Sequence, residues 1–192
     1  MAGLALPLSS ARAAARLNVS FDGDNLHVTA PQLHFLTGKP LSRLHDGATV
    51  VFLSQITLFQ QDHATVFRRA SDRLTVSEDV WDEGKFSVML ATGGRSVKGL
   101  SVAAAETWCL DNLAISALGI APDWPFWFRF ELRVADPREL SAVVGDSGIS
   151  LTGMIEALSR KPRGDDDPWT LEAGPLRLAQ LPRLTGRGAR NE

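Results

Sequence analysis

The side chains best suited to metal binding or proton transfer are the four histidines, His27, His34, His45 and His63. A zinc site on a helix or knuckle repeats its ligands at short fixed intervals, because a tetrahedral ion needs them on one face. None of these histidines has that spacing, and all four read as surface residues. The single cysteine, Cys109, lies in an apolar stretch without the cationic neighbours that stabilise a thiolate, so it reads as a small buried hydrophobe. One cysteine also excludes an internal disulfide. Serine is plentiful, but no Gly-x-Ser-x-Gly elbow is present. Carboxylates gather at Glu78-Asp79 and Asp82-Glu83. A pair for acid–base work is held across a cleft, whereas these flank a turn, where acidic residues solvate a hairpin tip.

Two further segments invite the same test. Gly93-Gly94-Arg95-Ser96 stands before an expected helix, where backbone N–H groups could meet a phosphate, but it fits neither the dinucleotide nor the Walker pattern. Asp165-Asp166-Asp167 lacks the alternation and closing glutamate of a calcium loop. Arg68-Arg69 and Arg73 form a small basic patch without interleaved aromatics, and the net charge is -2, so nucleic acid is not an expected partner. No catalytic residue, metal ligand or cofactor is called for by these patterns.

The aromatic residues are less ordinary. There are 5 tryptophans and no tyrosine in 192 residues. Trp124-Pro125-Phe126-Trp127-Phe128 is an aromatic string. If Phe126, Phe128 and Phe130 face a core, strand parity turns Trp127 outward beside Arg129. A tryptophan among charges resembles a binding anchor with a polar rim. Trp124, Trp127 and Arg129 are therefore the candidate ligand- or partner-binding residues, and loss of the Trp127 indole is expected to spare folding. The alternative is that a second sheet or helix covers Trp127.

The elements that must position these residues are mostly strands. Leu17, Val19 and Phe21, then Leu26, Val28 and Ala30, alternate with polar residues about Asp22-Gly23-Asp24, the pattern of a hairpin. Leu33 and Phe35 resume the alternation after Pro31, as a bulge or a new strand. Residues 48–60 read as a central strand covered on both faces. A returning strand runs from Val66 to Val76, with a bulge or solvated edge expected at Arg68-Arg69 and Ser71-Asp72-Arg73. Phe86, Val88 and Leu90 follow the turn at Asp82-Glu83-Gly84. Ser101 to Leu118 has helical spacing through Val102, Ala105, Cys109, Leu113 and Ala117, with Ser101 as N-cap and Gly119 beyond the C-terminus. Phe126 to Val134 is a period-2 stripe. Leu151 to Ser159 reads as a short helix, and Leu171 to Leu178 as a last strand. No βαβ alternation appears. The expected fold is mainly β: an antiparallel β-sandwich or curved sheet with one covering α-helix and a second short helix, with an α+β roll as the alternative.

The length suits one domain, here residues 17–182, with 183–192 read as a disordered C-terminal tail. Residues 1–16 read as a signal-peptide remnant or a disordered tail. Met1 to Leu8 is short and apolar, and Ala11-Arg12-Ala13 and Ala13-Ala14-Ala15 have the small-x-small form of a cleavage site, though no positive region precedes them. Export to the periplasm is expected on the first reading, and a cytoplasmic protein on the second. No apolar run is long enough to span a membrane.

Leu41…Leu44…Gly47 leading into a long strand that ends at Phe59-Gln60, the stretch Phe67-Arg68-Arg69 to Leu74, the helix end Leu118-Gly119 and the terminal Leu176-Arg177-Leu178…Leu181-Pro182 together resemble an uncharacterised family of exported bacterial β-rich proteins, a domain of unknown function. The likeness runs from Val19 to Pro182; a tryptophan after Leu181-Pro182 is lacking. The resemblance implies an exported, non-enzymatic domain and supplies no catalytic residue.

Three functions follow as expectations: an accessory protein-interaction module of the cell envelope that binds a protein partner, a carrier of a lipid or other apolar ligand inside the sandwich, and a hydrolase with an unrecognised site. A deep pocket lined by Phe126, Phe128 and Phe130 favours the carrier, an exposed patch around Trp127 the module, and a cleft holding several perturbed titratable groups the enzyme.

Overall fold

The structure is a computed structural model that describes residues 15–60, 64–135 and 168–184, with the backbone of 144–145 and 148–149. The elements in chain order are β1 (Asn18–Phe21), β2 (Asn25–Thr29), α1 (Gly38–His45), β3 (Val50–Phe59), β4 (Val66–Glu78), β5 (Phe86–Leu90), β6 (Ser96–Leu100), α2 (Val102–Asp111), β7 (Ala114–Ser116), β8 (Phe126–Val134), the two-residue strands β9 (Val144–Gly145) and β10 (Gly148–Ile149), and β11 (Trp169–Leu176). The fold is mainly β, as expected. Six strands form one antiparallel sheet in the order β11-β8-β3-β4-β5-β6, and β1-β2-β7 form a second.

Period-2 patterning decides which face of the large sheet is core. Val50, Phe52, Ile56 and Leu58 of β3 are buried, as are their β8 neighbours Phe128, Phe130 and Leu132. Leu26, Val28 and Ile115 of the small sheet and Ala105 and Cys109 of α2 complete the same core. The opposite face of β3 is also covered at Leu53, Thr57 and Phe59, so β3 is the doubly buried central strand its sequence implies. The Asp22-Gly23-Asp24 turn joins β1 to β2, and Ser101 Oγ caps α2 by accepting from the Ala104 N–H at 3.3 Å.

Three expectations are corrected. The helix from Ser101 ends at Asp111, not Leu118. Residues 113–117 instead alternate, with Leu113, Ile115 and Ala117 buried, and β7 pairs with β2 through Leu26 opposite Ile115. A spacing of four satisfies both periods, so Cys109, Leu113 and Ala117 fit a helix and a strand equally well. Strand β6 separates Gly93-Gly94 from the helix, so those glycines do not open it. Residues 31–37 form no strand: Phe35 and Leu36 give their N–H groups to the Glu106 carboxylate rather than to a neighbouring strand. The edge expected at Arg68-Arg69 and Ser71-Asp72-Arg73 is present: β4 keeps regular register with β3 through Ser71-Asp72-Arg73, but it has no β5 partner before Leu74, and the Asp72 carboxylate accepts from the N–H groups of Arg73 and Thr92. The register shift passes over Phe67, with Leu58 opposite Arg68 and Phe59 opposite Val66, so the irregularity lies beside Arg68-Arg69. The expected helix at Leu151–Ser159, the Asp165–Asp167 loop, His63 and both expected tails lie outside the described residues, apart from Ala15 and Arg16 at one end and Arg183 and Leu184 at the other.

Candidate functional site

At the end of the large sheet where β3 meets the start of β4, an apolar cleft of about 450 Å³ opens to solvent. Its walls come from four separate stretches: Leu58 and Phe59 at the end of β3, Phe67 in β4, Gly119 and Ile120 after β7, and Trp124 to Phe126 leading into β8. The volume lies in the range of small-ligand sites, and the lining is mostly apolar, with Gln60 beside Phe59 as its polar side chain.

Each wall has an identifiable support. Phe59 lies beneath the Arg129 guanidinium, 4.8 Å from its ring centre, and Arg129 in turn donates from Nε to Glu172 Oε1 at 2.5 Å. The other wall is tied by Arg68, which donates to the carbonyls of Ser116 at 2.8 Å and Leu118 at 3.0 Å. Strand β5 pairs with β4 only from Leu74 onward, so beside Arg68 a side chain stands in for a neighbouring strand. Gly119 adopts φ +86, and a Cβ there would lie 3.4 Å from the Phe67 ring. A left-handed glycine is what lets the chain turn against that ring.

The three candidate binding residues meet around Phe59, in different roles. Trp124 lines the cleft and is 60% exposed. Arg129 does not line the cleft but stacks over the Phe59 ring. Trp127 sits opposite Phe59 in the ladder and does face away from the core, but it is half-buried. Its indole lies against Gly174 of β11 so closely that a Cβ on that glycine would be 2.6 Å from Trp127 Cδ1. Part of its surface therefore serves the packing of the edge strand.

Phe128 and Phe130 are fully buried, and only Phe126 of the aromatic stripe reaches the cleft. A second cleft, of about 700 Å³, lies beside His34, Thr37 and Trp169. There His34 Nδ1 is 3.0 Å from Glu106 Oε2, a histidine–carboxylate pair. The other oxygen of Glu106 accepts from two backbone N–H groups, at 2.6 Å and 2.7 Å, so the carboxylate holds the 33–36 segment in place.

The groups with displaced pKa values are scattered. Asp22, in the β1–β2 turn, is held well below the carboxylate range by the N–H of Asn25 and by His27. Glu78, at the start of the β4–β5 turn, is lowered chiefly by the Gly84 N–H, with His45 adding to it. Cys109, in the core, is pushed up to about 12 by burial and then by the charge of Glu106. These three do not share a cleft. Among the described residues no three His, Cys, Asp or Glu side chains gather as metal ligands would.

Two groups of residues escaped the sequence reading. The cleft residues Phe59, Phe67 and Ile120 belong to different stretches, and no local pattern joins them. Val80 and Trp81, at the tip of the β4–β5 hairpin, are 87% and 96% exposed. Their signal was present in the sequence: a large apolar pair inside an otherwise acidic turn. No family model, curated protein or solved structure matches this chain.

Proposed function

We propose that this chain is a non-catalytic protein-interaction module that receives an apolar side chain or segment of a protein partner in the cleft around Trp124. The observation that carries this reading is an open apolar cleft of about 450 Å³ with a tryptophan 60% exposed at its mouth. Burial of such an aromatic is the usual source of hot-spot energy in protein interfaces. The scatter of Asp22, Glu78 and Cys109 supports the module over the hydrolase, because acid–base chemistry needs its groups within reach of one substrate. A cell-envelope setting belongs to the same proposal and rests on the small-residue pattern near the N-terminus.

A second reading, a carrier of a small apolar ligand, uses the same cleft; the filled interior around Phe128 and Phe130 argues against a ligand inside the sheets. The test is binding of N-acetyltryptophanamide and of a leucine-rich peptide, followed by NMR, in the wild type and in Trp124→Ala. Shifts confined to Phe59, Phe67 and Ile120 that vanish in the variant support the cleft. Unchanged binding in Trp124→Ala overturns it. Mass spectrometry of the native protein under non-denaturing conditions separates the readings: a retained apolar small molecule favours the carrier.

A further inference from the structure

The hairpin between β4 and β5 displays Val80 and Trp81 to solvent on a structured turn. Asp79 Oδ1 accepts from the Trp81 N–H at 2.9 Å, the Asp79 N–H donates to the Lys85 carbonyl at 2.7 Å, and Glu78 Oε1 accepts from the Gly84 N–H at 2.7 Å. His45 Nδ1 sits 2.7 Å from the other oxygen of Glu78, so α1 anchors the base of the turn. A pre-organised turn that holds an indole in water spends little conformational entropy when that indole is buried by a partner.

The cleft at Trp124 and the Trp81 tip lie at opposite ends of β4. That strand has 13 residues, which at ~3.3 Å per residue separates its ends by about 40 Å. The two cannot meet within one molecule. Their chemistry nevertheless matches. The tip is an apolar pair among Glu78, Asp79, Asp82 and Glu83, set against Lys85, with His45 beside Glu78 at its base. Among the described residues, the surroundings of the cleft carry Arg68 and Arg69 on β4, Arg129 on β8 paired with Glu172, and Asp123 in the turn before Trp124, a small positive balance. The signs are opposite, and the cleft has room for an indole.

We propose that the Val80–Trp81 tip of one copy docks into the Trp124 cleft of a second copy. The idea rests on the cleft being a binding site and names its occupant. Such a contact joins different surfaces of two identical chains, so it propagates head to tail into chains or a ring rather than closing a two-fold dimer.

Sedimentation of the full chain across a wide concentration range tests this, using wild type, Trp81→Ala, which keeps the cleft, and Trp124→Glu, which keeps the tip and puts a repelling carboxylate at the cleft mouth. Wild type is expected to associate beyond a dimer as concentration rises. Each variant alone should weaken self-association by about thirtyfold or more. A mixture of the two variants has one good tip and one good cleft, and should form a heterodimer and nothing longer. A wild type that stays monomeric, variants that assemble like wild type, or a mixture that forms no heterodimer overturns the proposal. N-acetyltryptophanamide binding to Trp81→Ala, absent in Trp124→Glu, shows separately whether the cleft is a site: if it binds while wild type stays monomeric, the tip is not the occupant but the cleft reading stands.

Discussion

The Glu106 carboxylate lies 2.6 Å from the backbone nitrogen of Phe35, 71 residues earlier in the chain. With the Leu36 N–H on the same oxygen, it replaces the strand partner that this buried segment lacks. Glu106→Ala leaves two buried N–H groups without an acceptor, each worth about 1–3 kcal/mol. We expect a loss of about 3 kcal/mol in urea unfolding. Glu106→Gln keeps a carbonyl oxygen at that place and should lose about 1 kcal/mol. Equal losses in the two variants would show that charge rather than bond geometry holds the segment.

Trp127 and Gly174 form a second long-range pair. Gly174→Ala would place a Cβ 2.6 Å from Trp127 Cδ1 and 3.1 Å from its Cα, so β11 or the indole must shift. An overpacked contact costs roughly 1–3 kcal/mol. Trp127→Ala should cost about 2 kcal/mol, less than a fully buried tryptophan would. The double variant should deviate from additivity by more than about 0.5 kcal/mol, measured as a thermodynamic cycle in denaturant.

Acid should loosen the β4–β5 hairpin. Glu78 has a folded pKa below its ordinary value of 4.5, chiefly through the Gly84 N–H. A carboxyl lowered by folding contributes stability that is complete above the ordinary value and is lost as pH falls through the folded one. The wild type should therefore lose hairpin order below the ordinary glutamate range, seen as faster amide exchange at Gly84. Glu78→Gln should flatten that acid limb; an unchanged limb would assign it elsewhere, with Asp22 the first place to look.

Cys109 is fully buried, and its thiol is raised to about 12 by burial and by Glu106. At neutral to mildly alkaline pH neither access nor thiolate favours reaction. Alkylation should proceed only as fast as the protein opens, and should become rapid in denaturant. Rapid labelling of the native protein would show a core looser than this packing allows.

How much of this was legible in the sequence varies with the range of the interaction. The hairpin at Asp22-Gly23-Asp24, the doubly covered β3 and the buried stripe Phe126–Phe130 were readable because period-2 burial is local. Ser101 was readable as a cap for the same reason. The helix end was misplaced because Leu113 and Ala117 fit both periods, and only pairing with β2 decides between them. The parity of Trp127 was correct, yet its surroundings depend on Gly174, 47 positions away, which no local pattern connects to it. Trp81 was overlooked for a different reason: the carboxylates around it made the turn look wholly solvated.

The sequence by itself determined which residues alternate between core and solvent, where the chain turns, that Cys109 can form no internal disulfide, and that Trp124 and Trp127 stand close to Arg129. Those properties follow from side-chain chemistry and backbone periods over a few residues. Tertiary structure alone decided that Phe59, Phe67, Ile120 and Trp124 form one cleft, that Arg129 and Arg68 brace its walls, and that Glu106 serves Phe35. The physical reason is that an antiparallel sheet brings strands together by register, and register is settled by burial of the whole core rather than by any one segment.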